Sequence, residues 1–300
     1  MAVYGMWASR CALHVGATGL LAVVGLVGCN RGGEPAAKAP EVTPGKSEAA
    51  PAVVVAAEKT GDRLQQPFAE ATIADQPDQY LPEATMTGKS VGKLYEQVLQ
   101  QWDKVRFVNA QGQKLHYTAM VETDLGEIEI ELQPELAPNH VRNFVALAQC
   151  GYYDGLVFER TIAEQVANDP ASRVELIEGG CPTGTGNVGF GSIGYWLRPE
   201  FTEGVKHEEG AVGACLGEDP LTAACRFYVT LSKAPVMDGE RTIFGKVSRG
   251  LDVVRRIATQ PVINSADFPL GDRPDKPVVM KKVTIHARPI APATVAQQPR

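Results

Sequence analysis

Gly151-Tyr152-Tyr153-Asp154-Gly155-Leu156-Val157-Phe158-Glu159-Arg160-Thr161-Ile162 is a glycine-bounded turn followed by a short apolar run interrupted by one cation. Read as a strand, the run puts Phe158, Arg160 and Ile162 on one face and Val157, Glu159 and Thr161 on the other, because strand side chains alternate. An arginine on an apolar face is seldom buried without a partner, since desolvating a charge is costly unless the charge is paired or used. Two roles are open to Arg160: a strand-end arginine in a structural ion pair, or a cation lining a functional cleft with Phe158 beside it.

Working outward, Thr118 to Leu132 contains two runs about Thr123-Asp124-Leu125-Gly126, a sequence suited to a turn. Ile128, Ile130 and Leu132 alternate with Glu127, Glu129 and Glu131, so the glutamates form a solvated strand face rather than an acid cluster. Pro138 opens a helix carrying Val141, Phe144, Val145 and Ala148 inward, stopped by Gly151. Beyond a polar loop from Ala163 to Arg173, short strands are expected from Val174, over Ile193 to Leu197, Gly210 to Leu216, Arg226 to Leu231 and Thr242 to Val247. Leu251, Val254 and Ile257 mark a second helix. Pro277 to Ala287 is a last strand, with Val279, Lys281, Val283 and Ile285 on one face and Val278, Met280, Lys282 and Thr284 on the other. About eight strands and two helices in one domain predict a mainly β fold, a closed eight-stranded antiparallel barrel capped by two helices.

The chain of 300 residues is long enough for one good-sized core with accessory segments. Its net charge of -6 and the lack of a basic patch argue against nucleic acid as a partner. Ala12 to Gly28 is an apolar run with Arg10 upstream, the layout of a signal peptide over residues 1–28. It ends in Leu26-Val27-Gly28-Cys29, which resembles the bacterial lipobox, so Cys29 is the expected lipidation site; an uncleaved signal anchor would also keep the protein on a membrane. A lipidated flexible tether is expected over residues 29–85: from Asn30 to about Gln66 the chain is rich in Pro, Ala, Gly, Glu and Lys, a composition that cannot bury enough apolar surface to offset its ordering entropy, and Pro67 to Pro82 carries no firm signal. Residues 86–114 form a helical lead-in: Val91, Leu94, Tyr95, Val98, Leu99 and Trp102 recur at helical spacing behind a Ser90 cap, and the stripe needs a surface, its own domain or a partner. The main domain is expected over 115–289 and a disordered tail over 290–300.

The ordered set Glu122-Thr123-Asp124-Leu125-Gly126, Pro138 to Phe144, Tyr153-Asp154-Gly155, Phe158-Glu159-Arg160, Glu178-Gly179-Gly180, Phe227-Tyr228, Asp238-Gly239 and Phe244-Gly245-Lys246-Val247 resembles the cyclophilin-type peptidyl-prolyl isomerases. The resemblance spans Met120 to about Ile285 and implies a cyclophilin-like barrel that rotates X-Pro peptide bonds in proline-containing segments without a cofactor. The barrier of a peptide bond is about 18–20 kcal/mol, and a cation that donates to the amide nitrogen as it pyramidalises, or holds the carbonyl as the bond twists, would lower it. Arginine suits this, being always charged and donating in a fixed fork. The resemblance puts the family's catalytic arginine at Arg160 and the proline-pocket wall at Leu176, Tyr228 and Met237; Phe227 and Tyr228 face opposite ways, which leaves Phe227 to the core.

Several positions depart from the family pattern: Glu159 for histidine, Glu178 for glutamine before Gly-Gly, Arg226 for a second cleft glutamine, Val236 for tryptophan, Arg241 for histidine, and Glu175 for an aromatic. Glu178 is expected to pair with Arg226 or Arg160. With Phe158, these give the expected substrate-contacting set Phe158, Leu176, Glu178, Arg226, Tyr228, Met237 and Arg241. The expected function is prolyl isomerisation, of reduced or altered activity where Arg160 is held in such a pair, on envelope proteins facing the periplasm; the alternatives are a membrane-tethered module that grips such segments without turnover, and a structural lipoprotein.

Gly184-Thr185-Gly186-Asn187-Val188-Gly189 formally matches a dinucleotide fingerprint, but a strand rather than a helix follows it, so a glycine-rich surface loop is expected. The five histidines, His14, His116, His140, His207 and His286, show no ligand spacing with cysteines, and no metal is expected. With Cys11 removed and Cys29 lipidated, Cys150, Cys181, Cys215 and Cys225 remain; Cys215 with Cys225 is the expected disulfide, buried free thiols the alternative.

Overall fold

The turn at Thr123-Asp124-Leu125-Gly126 closes a two-residue hairpin between β2 (Leu115–Thr123) and β3 (Gly126–Leu132). Its geometry is held by the Thr123 hydroxyl, which accepts from Leu125 N at 3.1 Å and donates to Gly126 O at 2.7 Å. The structure, a computed structural model, describes residues 64–74, 81–165, 168–169, 172–187, 191–217, 219–263 and 272–290. The expected signal peptide, lipidation site Cys29 and most of the tether lie outside these residues, as does the tail beyond Ile290.

The remaining strands of the main sheet are β4 (Phe158–Gln165), β5 (Arg173–Gly179), β7 (Ala211–Ala214), β8 (Phe227–Thr230), β9 (Ile243–Arg249) and β12 (Met280–Pro289). They form an eight-stranded antiparallel sheet in the order β12-β2-β3-β9-β7-β8-β5-β4. The ladder is not closed, contrary to the expected barrel: among the described residues its edges β4 and β12 join through the bridge Val157↔Val279 and the bond from Gly155 N to Met280 O, where the chain enters the two strands. Ala163 to Gln165, expected in a polar loop, extend β4 by pairing with Arg173 to Glu175. Two-stranded sheets join β1 (Thr72–Ala74) to β6 (Tyr195–Leu197) and β10 (Val262–Ile263) to β11 (Arg273–Pro274).

Two helices flank the sheet core: α3 (Pro138–Gln149), packed against β9 and β12, and α4 (Leu251–Ala258), packed against β3, β4 and β5. The last strand departs from simple alternation. A register shift between Met280 and Lys282 lets Met280 and Val283, three residues apart, both enter the core.

The expected tether boundary is corrected at its C-terminal end. The described residues from Leu64 to Ala74 are packed: α1 (Phe68–Ala71) and β1 precede α2 (Val91–Trp102), and these elements cover α3 and β6. Aromatic contacts outweigh the cost of ordering this stretch. The Phe68 ring lies 4.9 Å from Tyr195, 5.1 Å from Trp102 and 6.0 Å from Tyr95. Trp102 Nε1 donates to Gln66 O at 3.0 Å, and Arg142 on α3 stacks over Trp102 and Phe107 while donating to Leu64 O. The stripe of α2 therefore serves its own domain, and Ser90 caps the helix by accepting from Lys93 N at 3.5 Å. Phe68→Ala should lower the unfolding free energy by about 2 kcal/mol in urea titrations; an unchanged midpoint would mean that the extension is not part of the cooperative unit.

Candidate active site

Pairing in the sheet lines up one row of residues across four strands: Arg160 opposite Glu178, Glu178 opposite Tyr228, and Tyr228 opposite Gly213. These residues share a face, and the next row on that face holds Ile162 opposite Leu176. Gly213 has no side chain because Tyr228 lies across it; a Cβ there would sit 2.2 Å from the Tyr228 hydroxyl oxygen. Ile162, Val174, Leu176, Cys215, Tyr228, Ala234 and Met237 form a small apolar cluster separate from the main core. The structure thus brings Leu176, Tyr228 and Met237 together beside Arg160. The wall is nearly sealed, with 1 % of Leu176, 1 % of Tyr228 and 7 % of Met237 exposed.

Phe158 is not on this face. A register shift between Phe158 and Arg160 inserts Glu159 as an extra residue opposite the Gly179–Glu178 step, so the two-residue alternation fails there. Phe158 turns into the main core, 6.1 Å from the Phe227 ring, while Arg160 remains on the side of the smaller apolar cluster. Phe227 lies in the main core and Tyr228 in the smaller apolar cluster, as opposite strand faces require.

The bulge also carries Glu159 into the interior, fully buried, and the departures from the family pattern explain one another there. Glu159 Oε1 accepts from Cys181 N at 3.2 Å and from Arg226 Nε at 3.3 Å. Arg226 Nη2 donates to Glu178 Oε2 at 2.5 Å, and Arg160 Nη1 donates to the same oxygen at 3.2 Å. Arg160 Nε donates to Asp272 Oδ2 at 2.8 Å, and Arg160 Nη2 donates to it as well. The result is an alternating chain of charge, Glu159–Arg226–Glu178–Arg160–Asp272. Glu178 therefore pairs with both arginines rather than choosing one. Its burial opposes ionisation, but Arg160, Arg226 and Arg241 together hold its carboxyl below the usual range. Arg241 is half-buried beside this chain and acts on Glu178 through its charge.

Glu159 is the exception. Burial, only partly offset by Arg226, raises its pKa to about 7, and its Oε2 has no hydrogen-bond partner among the described residues. The unfolded chain titrates this group near 4.5. Above that pH the native state keeps a proton that the unfolded chain has lost, so stability from this group is full at acid pH and is lost as pH rises through about 7. Urea unfolding should show stability falling between pH 5 and 8.5 by on the order of 2 kcal/mol from this group, with the slope removed in Glu159→Gln. A wild-type profile matching that of the variant would refute the assignment.

Three further residues, His207, Asp238 and Asp272, have no site role readable from the sequence. His207 backbone N and Nδ1 donate to Asp238 Oδ1 at 2.8 and 2.9 Å, which leaves Nε2 as the acceptor for the Tyr228 hydroxyl at 2.7 Å. Burial lowers the His207 pKa and raises that of Tyr228, both favouring this neutral arrangement. Asp272 is the third, 112 residues from Arg160. Asp238 belongs to a quoted motif, whereas His207 and Asp272 carry no local signal.

The expected Cys215–Cys225 disulfide is not formed: Cys150, Cys181, Cys215 and Cys225 are free thiols. Cys215 sits in the cleft cluster and Cys225 in the main core, on different sides of the sheet. The glycine loop after Cys181 packs over Arg160, since a Cβ at Gly186 would lie 2.7 Å from Arg160 Cδ.

A sequence model of the family "Cyclophilin type peptidyl-prolyl cis-trans isomerase/CLD" matches residues 118–285, more than half of the chain. The chain belongs to the cyclophilin family. Family members are peptidyl-prolyl cis-trans isomerases, and that is this cyclophilin's activity. It is 35% identical over 163 residues to peptidyl-prolyl cis-trans isomerase-like 1 of Neurospora crassa, covering 54% of this chain and 88% of that protein. It is 34% identical over 171 residues to peptidyl-prolyl cis-trans isomerase-like 3 of Homo sapiens, covering 57% and 97%. A solved Cryptosporidium parvum cyclophilin type peptidyl-prolyl cis-trans isomerase matches at 26% identity and a TM-score of 0.49, covering 58% of this cyclophilin and 99% of the other chain. Among the described residues no helix is long and apolar enough to cross a membrane.

Proposed function

We propose that this cyclophilin isomerises X-Pro bonds with Arg160 as the catalytic residue, and that it does so on envelope proteins, held at a membrane by lipid on Cys29 and facing the periplasm. The observation that carries the catalytic assignment is the position of Arg160. It shares a sheet face with the apolar cluster of Leu176, Tyr228 and Met237. Arginine has five N–H donors, and the two carboxylates take three of those on Arg160. Two remain, one on each terminal nitrogen, without a partner among the described residues. These can donate to the twisting amide, a charge-assisted interaction that strengthens as the nitrogen loses conjugation. Met237, unbranched and the most exposed of the three wall residues, is the side chain best able to shift and admit the proline ring.

The envelope location rests on the sequence Leu26-Val27-Gly28-Cys29 after an apolar run. A second reading, a tethered module that binds proline-containing segments without turnover, is favoured by the nearly sealed wall and by the two carboxylates on Arg160. Exchange NMR on an Ala-Pro peptide separates the readings. Cis and trans signals that exchange on addition of protein support catalysis; shifted signals without faster exchange support the binding module.

A further inference from the structure

Asp272 lies outside the motifs quoted for the family, yet it accepts two side-chain hydrogen bonds from the Arg160 guanidinium, where Glu178 accepts one. The reason lies in the sheet. β4 is an outermost strand of the ladder, so Arg160 has a cross-strand neighbour on one side only, Glu178. A guanidinium held through one terminal nitrogen can still swing about its side-chain torsions. On the open side the chain entering β11 bonds to β4: Thr161 N donates to Asp272 O at 2.7 Å. That backbone bond sets the Asp272 carboxylate beside Arg160, where its Oδ2 accepts from both Nε and Nη2. With Glu178 on Nη1, every nitrogen of the guanidinium is held. The pair is largely shielded, with 13 % of the Arg160 side chain and 15 % of the Asp272 side chain exposed, so solvent screens it less than a surface pair.

We propose that Asp272 is a positioning residue for peptidyl-prolyl isomerisation. It fixes the plane of the Arg160 guanidinium so that the two remaining N–H groups are presented to the prolyl amide without reorganisation during the reaction. This rests on the assignment of catalysis to Arg160. Asp272 does not itself touch substrate; it acts through Arg160, while the loop at Gly186 covers the stem of the same side chain.

The test uses Asp272→Ala, Asp272→Asn and Arg160→Ala in the full chain, with kcat and KM measured on one Ala-Pro peptide and arginine Nε–H signals recorded by NMR. Because the Thr161 N to Asp272 O bond is backbone, it is retained in both Asp272 variants. Asp272→Ala should lose about tenfold in kcat with little change in KM. Asp272→Asn should recover most of the rate, since its amide oxygen still accepts from Nε and Nη2. The Arg160 Nε–H signal, assigned by its loss in Arg160→Ala, should exchange with water faster in Asp272→Ala. Wild-type or higher kcat in Asp272→Ala, with Arg160→Ala inactive, would overturn the positioning role alone. Activity retained in Arg160→Ala would instead overturn the catalytic assignment and this inference with it.

Discussion

Arg160→Ala should reduce kcat/KM for X-Pro exchange by about 10²–10³-fold while leaving the protein folded. The size follows from the kind of interaction the guanidinium makes. A preorganised cation aimed at an amide nitrogen interacts most strongly when the bond is twisted, so its removal raises the barrier more than it weakens substrate binding. The fold tolerates the change because the groups left behind are not stranded. Glu178 keeps Arg226 at 2.5 Å, and Asp272 keeps its backbone bond to Thr161 and some access to solvent. Arg160→Lys should not restore the rate, since an ammonium lacks the fork that lets Arg160 bond both carboxylates and still donate. The check is line-shape or exchange NMR on an Ala-Pro peptide beside a thermal unfolding scan. Wild-type exchange in either variant would refute the assignment.

Arg226→Ala should be the most destabilising of the single changes considered, by about 3–5 kcal/mol. Arg226 is buried and stands between two buried carboxylates, so it is the counter-ion that both Glu159 and Glu178 share. Without it Glu159, already poised near neutral pH, would take a proton, and Glu178 would depend on Arg160 alone. The double change Glu159→Gln with Arg226→Gln should cost less than Arg226→Ala by itself, because it removes one charge of each sign and leaves Glu178 paired with Arg160. Urea unfolding of the three proteins at pH 7.5 tests this; a double variant less stable than Arg226→Ala would show that the charges act independently. Loss of Arg226 should also reduce activity less than loss of Arg160, since Arg226 is one carboxylate removed from the cleft cation.

Much of the fold was legible because it is written in local periodicity. The glutamate alternation in β3, the proline at the start of α3 and the stripe of α2 each depend on residues a few positions apart, and the structure places an element at each. The site was legible in its residue types and only partly in its geometry. Leu176, Glu178, Tyr228 and Arg160 share a face because their strands pair with Arg160 opposite Glu178 and Glu178 opposite Tyr228. Phe158 failed because a bulge, one extra residue at Glu159, is a property of two paired strands and leaves no periodic trace in one of them. The Cys215–Cys225 expectation failed for a related reason: nearness along the chain does not reveal which side of the sheet each thiol faces.

The sequence by itself therefore determined the family, the order of most elements and the presence of one cation in a run otherwise fit for a core. Only the tertiary structure decided what that cation is paired with. Asp272, Glu178 and Arg226 reach the neighbourhood of Arg160 from separate strands and loops, and their approach is set by sheet register and chain crossing. The same holds for Phe68, which lies in a stretch with no firm local signal and whose ring packs against Tyr195 and Trp102. Local propensity depends on neighbours in sequence, whereas the balance of buried charge and of aromatic packing depends on neighbours in space.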